Sequence, residues 1–171
     1  MATSNTYAFR PDVEEIIAES FERCGIDDET RTGYQAKAAR RSLNLLFSEF
    51  ANRGINYWAV QNNTLALVKG QITYTLPVGT IDMIDVVIRQ TANGTTTDTT
   101  IQRVSLSAYN QLPNKTSSGK PSQYMLDKTY TPTINVWQVP DTGDYSLLYW
   151  SINQLEDVTA SNQDADIPYR W

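Results

Sequence analysis

The sequence contains no histidine in its 171 residues. Imidazole is the commonest general base at neutral pH and a frequent metal ligand, so its absence excludes Ser-His-Asp and Cys-His catalysis and histidine-bound metals. We therefore expect no catalytic activity and no cofactor. A hydrolase that uses two carboxylates stays open, with Asp82 and Asp85 as the pair considered. In an extended strand their side chains would point to opposite faces, which disfavours that hypothesis.

Cysteine and long apolar segments are also scarce. The single cysteine, Cys24, excludes an internal disulfide, and its apolar position in a predicted helix indicates an inert, buried thiol. No segment reaches the roughly 20 apolar residues of a membrane span, and the first ten residues lack the features of a signal peptide. We expect a soluble product of the cytoplasm that does not contact a membrane.

Basic residues are outnumbered, with 14 Lys and Arg against 19 Asp and Glu and a net charge of −5. An acidic chain is poorly suited to be a free-standing nucleic-acid binder, which has to neutralise phosphates. A hydrophobic fraction of 40% and this length are typical of a folded protein of about one domain.

Two helices with well-marked ends are predicted in the first 56 residues. Asp12 and Glu15 form a capping box that starts the first helix, and Gly25 ends it. Thr32 starts the second helix, and Gly54 ends it. Two amphipathic helices joined by a short turn predict an antiparallel helical hairpin.

From residue 57 the sequence is rich in β-branched and aromatic residues and in turn signals. Residues 65–68 and 72–76 are predicted to form one hairpin, and residues 81–89 and 99–104 another, with an exposed loop tip at Asn93 and Gly94. Ser105 should cap a short helix. Three further strands are predicted at residues 123–126, 133–139 and 145–152, the last two joined by a turn at residues 140–143. The pattern predicts an antiparallel sheet of hairpins.

The predicted fold class is α+β, with an N-terminal antiparallel helical hairpin, an inserted antiparallel β-sheet domain and a C-terminal segment that returns to the helices. The predicted boundaries are 1–56 for the hairpin, 57–152 for the β-domain and 153–171 for a C-terminal arm that leads into a helix near Pro168.

The chain from about residue 44 to residue 170 resembles phage head-to-tail adaptor proteins, the tail tubular protein A-like family of short-tailed phages. The segments that carry the resemblance are TLALVKG (64–70), TYTLP (73–77), TIDMIDVVIR (80–89), GKPSQY (119–124), VWQVPD (136–141), YSLLYW (145–150) and DIPYR (166–170). The resemblance implies the helical hairpin and inserted β-domain. It also implies a structural virion protein of the phage neck, assembled in the host cytoplasm.

The same resemblance implies the partners. These are further copies of the chain in a ring of commonly twelve, the portal protein, the tail nozzle protein, and double-stranded DNA that passes without sequence-specific contact. Members of the family usually continue into C-terminal helices that grip the portal, and this sequence ends where they would begin. Pro168, Tyr169, Arg170 and Trp171 are the candidate portal-docking residues, and portal docking by other means stays open.

Lys37, Arg40 and Arg41 cluster on one turn of the second predicted helix. They are candidates for a subunit interface or for the wall of the DNA channel, with Glu15 and Glu19 of the first helix as acidic counterparts within or between subunits. Ion pairing or plain solvation is favoured over DNA contact, because phosphate contacts would hold the DNA and slow its passage.

The alternative function is a carbohydrate-binding or receptor-binding β module of a phage tail. It rests on the aromatic residues of the β region, which are Tyr57, Trp58, Tyr124, Trp137, Tyr145, Tyr149 and Trp150. Aromatic residues at alternating strand positions more often fill sheet faces and anchor protein interfaces, so the adaptor interpretation is preferred.

Overall fold

The structure is a computed structural model that describes residues 9–27, 30–54, 57–92 and 94–167, without the side chain of Tyr57. The chain divides into two compact units. The first consists of Met1–Trp58 and Leu155–Trp171, and the second is Ala59–Gln154.

Helix α1 spans Val13–Arg23 and has the predicted capping box. The Asp12 carboxylate accepts a hydrogen bond from the Glu15 backbone amide at 2.8 Å. Gly25, with φ of 75°, ends the helix as predicted, because the chain turns there through a left-handed conformation that glycine adopts cheaply. Cys24 is exposed, so the prediction of a buried thiol is wrong. It caps the end of α1, beyond the turns whose apolar side chains are buried.

Helix α2 spans Gly33–Asn52, with Thr32 as its N-cap and Gln35 completing a second capping box. Its C-cap is Arg53, followed by Gly54 with φ of 71°. Both predicted ends are therefore confirmed. A third helix, α3, spans Leu106–Asn110 in the second unit, and Ser105 caps it as predicted.

Ten strands lie in the described part of the second unit. In chain order they are β1 (Val60–Ala66), β2 (Thr73–Thr75), β3 (Thr80–Ala92), β4 (Thr95–Thr100), β5 (Gln102–Arg103), β6 (Ser118–Gly119), β7 (Gln123–Asp127), β8 (Thr133–Trp137), β9 (Val139–Pro140) and β10 (Tyr145–Asn153). The first sheet has the order β1-β10-β3-β4 and the second the order β2-β8-β7-β5. A third, two-stranded sheet pairs β6 with β9.

One core joins the first two sheets. Ile88 of β3 and Leu147 of β10 are fully buried, as are Ile134 and Val136 of β8. All four belong to a single cluster of buried residues that also contains Tyr74 and Tyr124. Every second side chain is buried along β8 and along residues 145–151 of β10, as expected for strands with one face on the core.

The predicted fold class is wrong. The described part of the chain contains three sheets and three α-helices, and strands contain more residues than helices, so the protein is mainly β rather than a helical hairpin with one inserted sheet. The two N-terminal helices bury only Val13, Ile17 and Phe47. Helix α1 is bonded to the C-terminal segment, since the Val13 amide donates to the Gln163 carbonyl at 2.9 Å. The amphipathic pattern of a helix marks the face to be buried but does not identify the segment that covers it.

The prediction of a single antiparallel sheet of hairpins is also wrong. β1 pairs with β10 and β2 with β8, so residues 65–68 and 72–76 do not pair with each other. The Tyr74 hydroxyl fixes the turn between them: it accepts a hydrogen bond from the Val68 amide and lies within donating distance of the carbonyls of Val68 and Gln71. β8 and β10 likewise belong to different sheets, and two strand pairs, β5–β7 and β6–β9, are parallel.

The hairpin of β3 and β4 is confirmed, but its second arm is shifted from the predicted 99–104 to Thr95–Thr100, because Gln102 and Arg103 pair with β7 in the second sheet. Its pairing runs from Val87 and Thr100 to Ala92 and Thr95, so most of the predicted polar loop is strand. Gly94, with φ of 75°, lies at the tip, as predicted, and Asn93 lies outside the described residues.

Candidate functional site: a cationic groove on α2

A groove of about 350 Å³ runs along one side of α2 in the first unit. Its lining residues from α2 recur every three or four positions, which places them on one helical face. Lys37, Arg40, Arg41, Asn44, Leu45, Ser48 and Asp157 line it. The three basic residues predicted to cluster therefore share one groove, and Asp157 comes from the C-terminal segment.

Asn44 positions the C-terminal wall of the groove. Its side-chain amide donates to the Val158 carbonyl at 3.1 Å, and its side-chain oxygen accepts from the Val158 amide at 2.9 Å. Arg40 adds a bond from Nη1 to the Thr159 carbonyl at 3.0 Å. Val158 itself is buried. These contacts attach an otherwise irregular segment to α2 and hold Asp157 beside the three cations.

The groove has an excess of positive charge, with three basic side chains and one acidic side chain. Within the described part of the chain, no salt bridge joins Lys37, Arg40 or Arg41 to a carboxylate. The Nε of Arg40 is buried and has no hydrogen-bond partner there. Lys37 and Arg41 are exposed, so both cations are accessible to an acidic group of a partner, which would form charge-assisted hydrogen bonds with them.

Three acidic residues of α1 bond to groups other than the α2 cations. Glu19 forms a salt bridge with Arg23 at 2.7 Å, and Glu15 completes the capping box with the Asp12 amide at 3.3 Å. Glu14 pairs with Arg31. The structure thus does not bring Glu15 or Glu19 to the α2 cations within one copy. Their proposed roles at a subunit interface stay a prediction.

Asp82 is the centre of a second charged cluster, in the β unit, that the sequence did not reveal. Its carboxylate contacts the Arg103 guanidinium and the Lys128 ammonium, each at 2.8 Å, and accepts from the Met83 amide at 2.8 Å. Burial raises the pKa of Asp82, but the Lys128 and Met83 hydrogen bonds and the charge of Arg103 outweigh burial and hold that pKa below its ordinary value.

The Asp82 cluster ties β3 of the first sheet to β5 and to the residue after β7 in the second. Its members lie far apart in the sequence, so no local spacing could have indicated it. Asp85 is exposed and has no part in these salt bridges. The geometry therefore gives Asp82 two cationic partners and does not pair it with Asp85.

Most of the aromatic set is unavailable as a sugar-binding platform. Tyr124, Tyr145 and Tyr149 are buried in the core of the second unit. Trp137 is half-buried and donates from Nε1 to the Asn114 carbonyl at 2.8 Å. Trp58 belongs to the first unit and donates from Nε1 to the Asp166 carbonyl at 2.9 Å. Among the described side chains of the set, Trp150 alone is exposed, at 46%.

Pro168, Tyr169, Arg170 and Trp171, the candidate portal-docking residues, lie outside the described residues. Within the described ranges, no group of three or more acidic or cysteine side chains could hold a metal ion. None of the helices there is long and apolar enough to cross a membrane.

Comparison with known proteins gives the family. No curated protein matches the chain. The model of the SU10 adaptor protein family matches residues 11–171, which is nearly the whole sequence. This confirms the expectation of a phage adaptor, while the narrower likeness to tail tubular protein A stays a prediction. The chain belongs to the SU10 adaptor protein family and is a structural adaptor protein of a phage virion, where it interacts with head and tail components.

Proposed function

We propose that copies of this chain close into a ring between the portal and the tail nozzle and line the channel through which DNA passes, without catalysing a reaction. The match of residues 11–171 to an adaptor family carries this proposal. A ring of commonly twelve copies is the assembly that the resemblance to head-to-tail adaptors implies. Such a ring needs a surface on each copy that binds a different surface on the next.

The cationic groove supplies one such surface. Its three basic side chains lie on an acidic chain of net charge −5, so another copy offers many carboxylates that could enter it. We propose that Lys37 and Arg41, both exposed, bind acidic residues of the neighbouring copy, with Glu15 as the first candidate because its side chain is exposed. Complementary charges of this kind steer association and select the correct partner.

The net negative charge of the chain also supports a role as the wall of a DNA channel. Each phosphate neutralised by a lysine or arginine strengthens DNA binding, which would slow passage. If a neighbour covers the cationic groove of each acidic subunit, the ring would present a weakly repulsive wall to DNA. Passage without sequence-specific contact follows from that arrangement.

Native mass spectrometry of the chain alone and mixed with its portal protein tests the proposal. We expect a ring-sized complex, at least in the mixture. Reversal of charge in the double variant Lys37→Glu, Arg41→Glu should abolish the ring. Arg40 is left unchanged because its bond to Thr159 supports the fold of the first unit. The matched control is Lys69→Glu, which reverses an exposed charge in the other unit and should assemble normally.

A wild-type chain that stays monomeric with and without portal, and that is absent from virions, would contradict the proposal. Normal assembly of the double variant would contradict the role of the groove while leaving the ring intact. Degradation of cell-wall substrate by the wild type, lost in Asp85→Asn, would contradict the proposed lack of catalysis.

A further inference from the structure

The first sheet of the second unit has two open edges. Its order, β1-β10-β3-β4, leaves β4 and β1 each with a strand on one side alone among the described residues. An open edge presents a row of unbonded amide and carbonyl groups, and proteins usually protect it with lysine, proline, a bulge or a covering segment. Neither β4 nor β1 contains lysine or proline.

β4 is unusual because all six of its residues are exposed. It buries no side chain in its own copy, yet five of its residues are threonine, which favours strands. A bidentate ion pair holds it to β3, with Arg89 Nε and Nη2 donating to the Asp98 carboxylate at 2.8 Å and 2.7 Å. The chain therefore maintains an ordered strand that contributes nothing to its own core.

The hydrogen bonds of β3 show which β4 groups face outward. The Thr91 amide donates to the Asp144 carbonyl at 3.1 Å, away from β4. Thr91 and its partner Thr96 are thus a pair without mutual backbone hydrogen bonds, and such pairs alternate along an antiparallel ladder. It follows that the backbone groups of Thr96, Asp98 and Thr100 point away from β3 at the open edge.

The same reasoning applies to β1. The Leu67 amide donates to the Tyr145 carbonyl at 2.9 Å, towards β10. Residues that face β10 and residues that face away alternate along the strand from Leu67. The backbone groups that point outward therefore belong to Val60, Asn62, Thr64 and Ala66. Thr64, Asn62 and Ala66 are exposed. Each edge therefore offers a run of outward residues spaced two apart.

We propose that β4 of one copy pairs with β1 of the next copy, so that the first sheets of neighbouring subunits are continuous around the ring. This inference rests on the proposed ring and identifies a contact in it separate from the α2 groove. Neighbouring strands in the first sheet are all antiparallel, and a β1 strand added antiparallel to β4 continues that alternation. Three outward residues of β4 against three of β1 would form about six backbone hydrogen bonds.

The two edges are unlike, which favours a ring over a dimer. Pairing of β4 with a different strand is a head-to-tail contact, and the copy at each end of an incomplete ring keeps one free edge until the ring closes. Pairing of β4 with β4 would instead be two-fold symmetric and would stop at two copies. We favour pairing of β4 with β1, because it uses both open edges, whereas pairing of β4 with β4 leaves β1 open.

Proline variants test the proposal while leaving the backbone hydrogen bonds within a copy in place. Thr96→Pro removes an outward amide of β4, and Thr64→Pro removes an outward amide of β1. Each variant should weaken self-association at least about tenfold, since several edge bonds depend on the altered strand. Thr96→Val and Thr64→Val keep the amides and should assemble like the wild type. Circular dichroism of each variant checks that the sheets are retained.

Mixing the two proline variants gives the sharpest result. Thr96→Pro keeps an intact β1 edge and Thr64→Pro an intact β4 edge, so the equimolar mixture should form a dimer with one copy of each, and no larger species. A second measurement uses a Cys24→Ser background with one new cysteine, Thr96→Cys in one sample and Asn62→Cys in the other. After mixing, a short thiol-reactive crosslinker should join the two different variants.

Crosslinking of Thr96→Cys to itself would overturn the proposal in favour of a β4–β4 contact. Rings that form normally from both proline variants would overturn the edge contact while the proposed function stands. A wild-type chain that remains monomeric with and without portal would overturn both, because no second copy would then meet either edge.

Discussion

Replacing Asp82 by asparagine should destabilise the β unit by about 1–2 kcal/mol at pH 7. Asp82 keeps 29% of its side chain exposed, and its partners Arg103 and Lys128 keep 41% and 50%. Each of these partly exposed ion pairs contributes roughly 0.5–1 kcal/mol. Asparagine preserves an acceptor for the Met83 amide, so the loss is confined to the two ion pairs.

The effect should depend on pH in a defined direction. The pKa of Asp82 is lowered in the folded protein, so its contribution is fully present above its ordinary value of 3.8 and is lost as the pH falls through the folded pKa. Below that pH the protonated carboxyl is nearly equivalent to asparagine. The difference in stability between the wild type and Asp82→Asn should therefore shrink towards zero in acid.

Urea unfolding at pH 7 and at pH 2.5, monitored by far-ultraviolet circular dichroism, measures the loss of stability in Asp82→Asn and its dependence on pH. Asp85→Asn is the matched control, because Asp85 is an exposed aspartate of the same strand outside the cluster, and it should change stability by less than about 0.5 kcal/mol. Equal losses in the two variants, or a difference for Asp82→Asn that persists unchanged in acid, would refute the reasoning.

Two further predictions concern polar side chains that fix irregular segments. Tyr74→Phe should lower the free energy of unfolding by about 1–3 kcal/mol, because it leaves the Val68 amide without its acceptor. Tyr130→Phe is the control and should be nearly neutral, since Tyr130 is 95% exposed. Thermal unfolding of both variants measures the two effects. Asn44→Ala removes both side-chain bonds to Val158 and should speed amide hydrogen exchange at Val158, with Ser42→Ala as the exposed control on the same helix. An unchanged exchange rate at Val158 would show that those bonds do not hold the C-terminal segment.

Local sequence signals predicted the elements whose bonds are themselves local. The capping residues Asp12, Thr32 and Ser105 each bond an amide three positions on, so a short stretch of sequence contains the whole interaction. The spacing of Lys37, Arg40 and Arg41 likewise placed them on one side of α2, and all three line one groove. Cys24 was misjudged because the apolar period was continued past the residue where the helix ends.

Residue pattern was therefore enough to predict the helix ends, the β3–β4 hairpin, the absence of histidine chemistry and the phage adaptor family. The assignment of strands to sheets, the partners of Asp82 and the attachment of Val158 to Asn44 became known from the fold alone. The reason is physical. Alternation with a period of two assigns a face to each strand residue, but it does not select the neighbouring strand, which depends on contacts between distant segments.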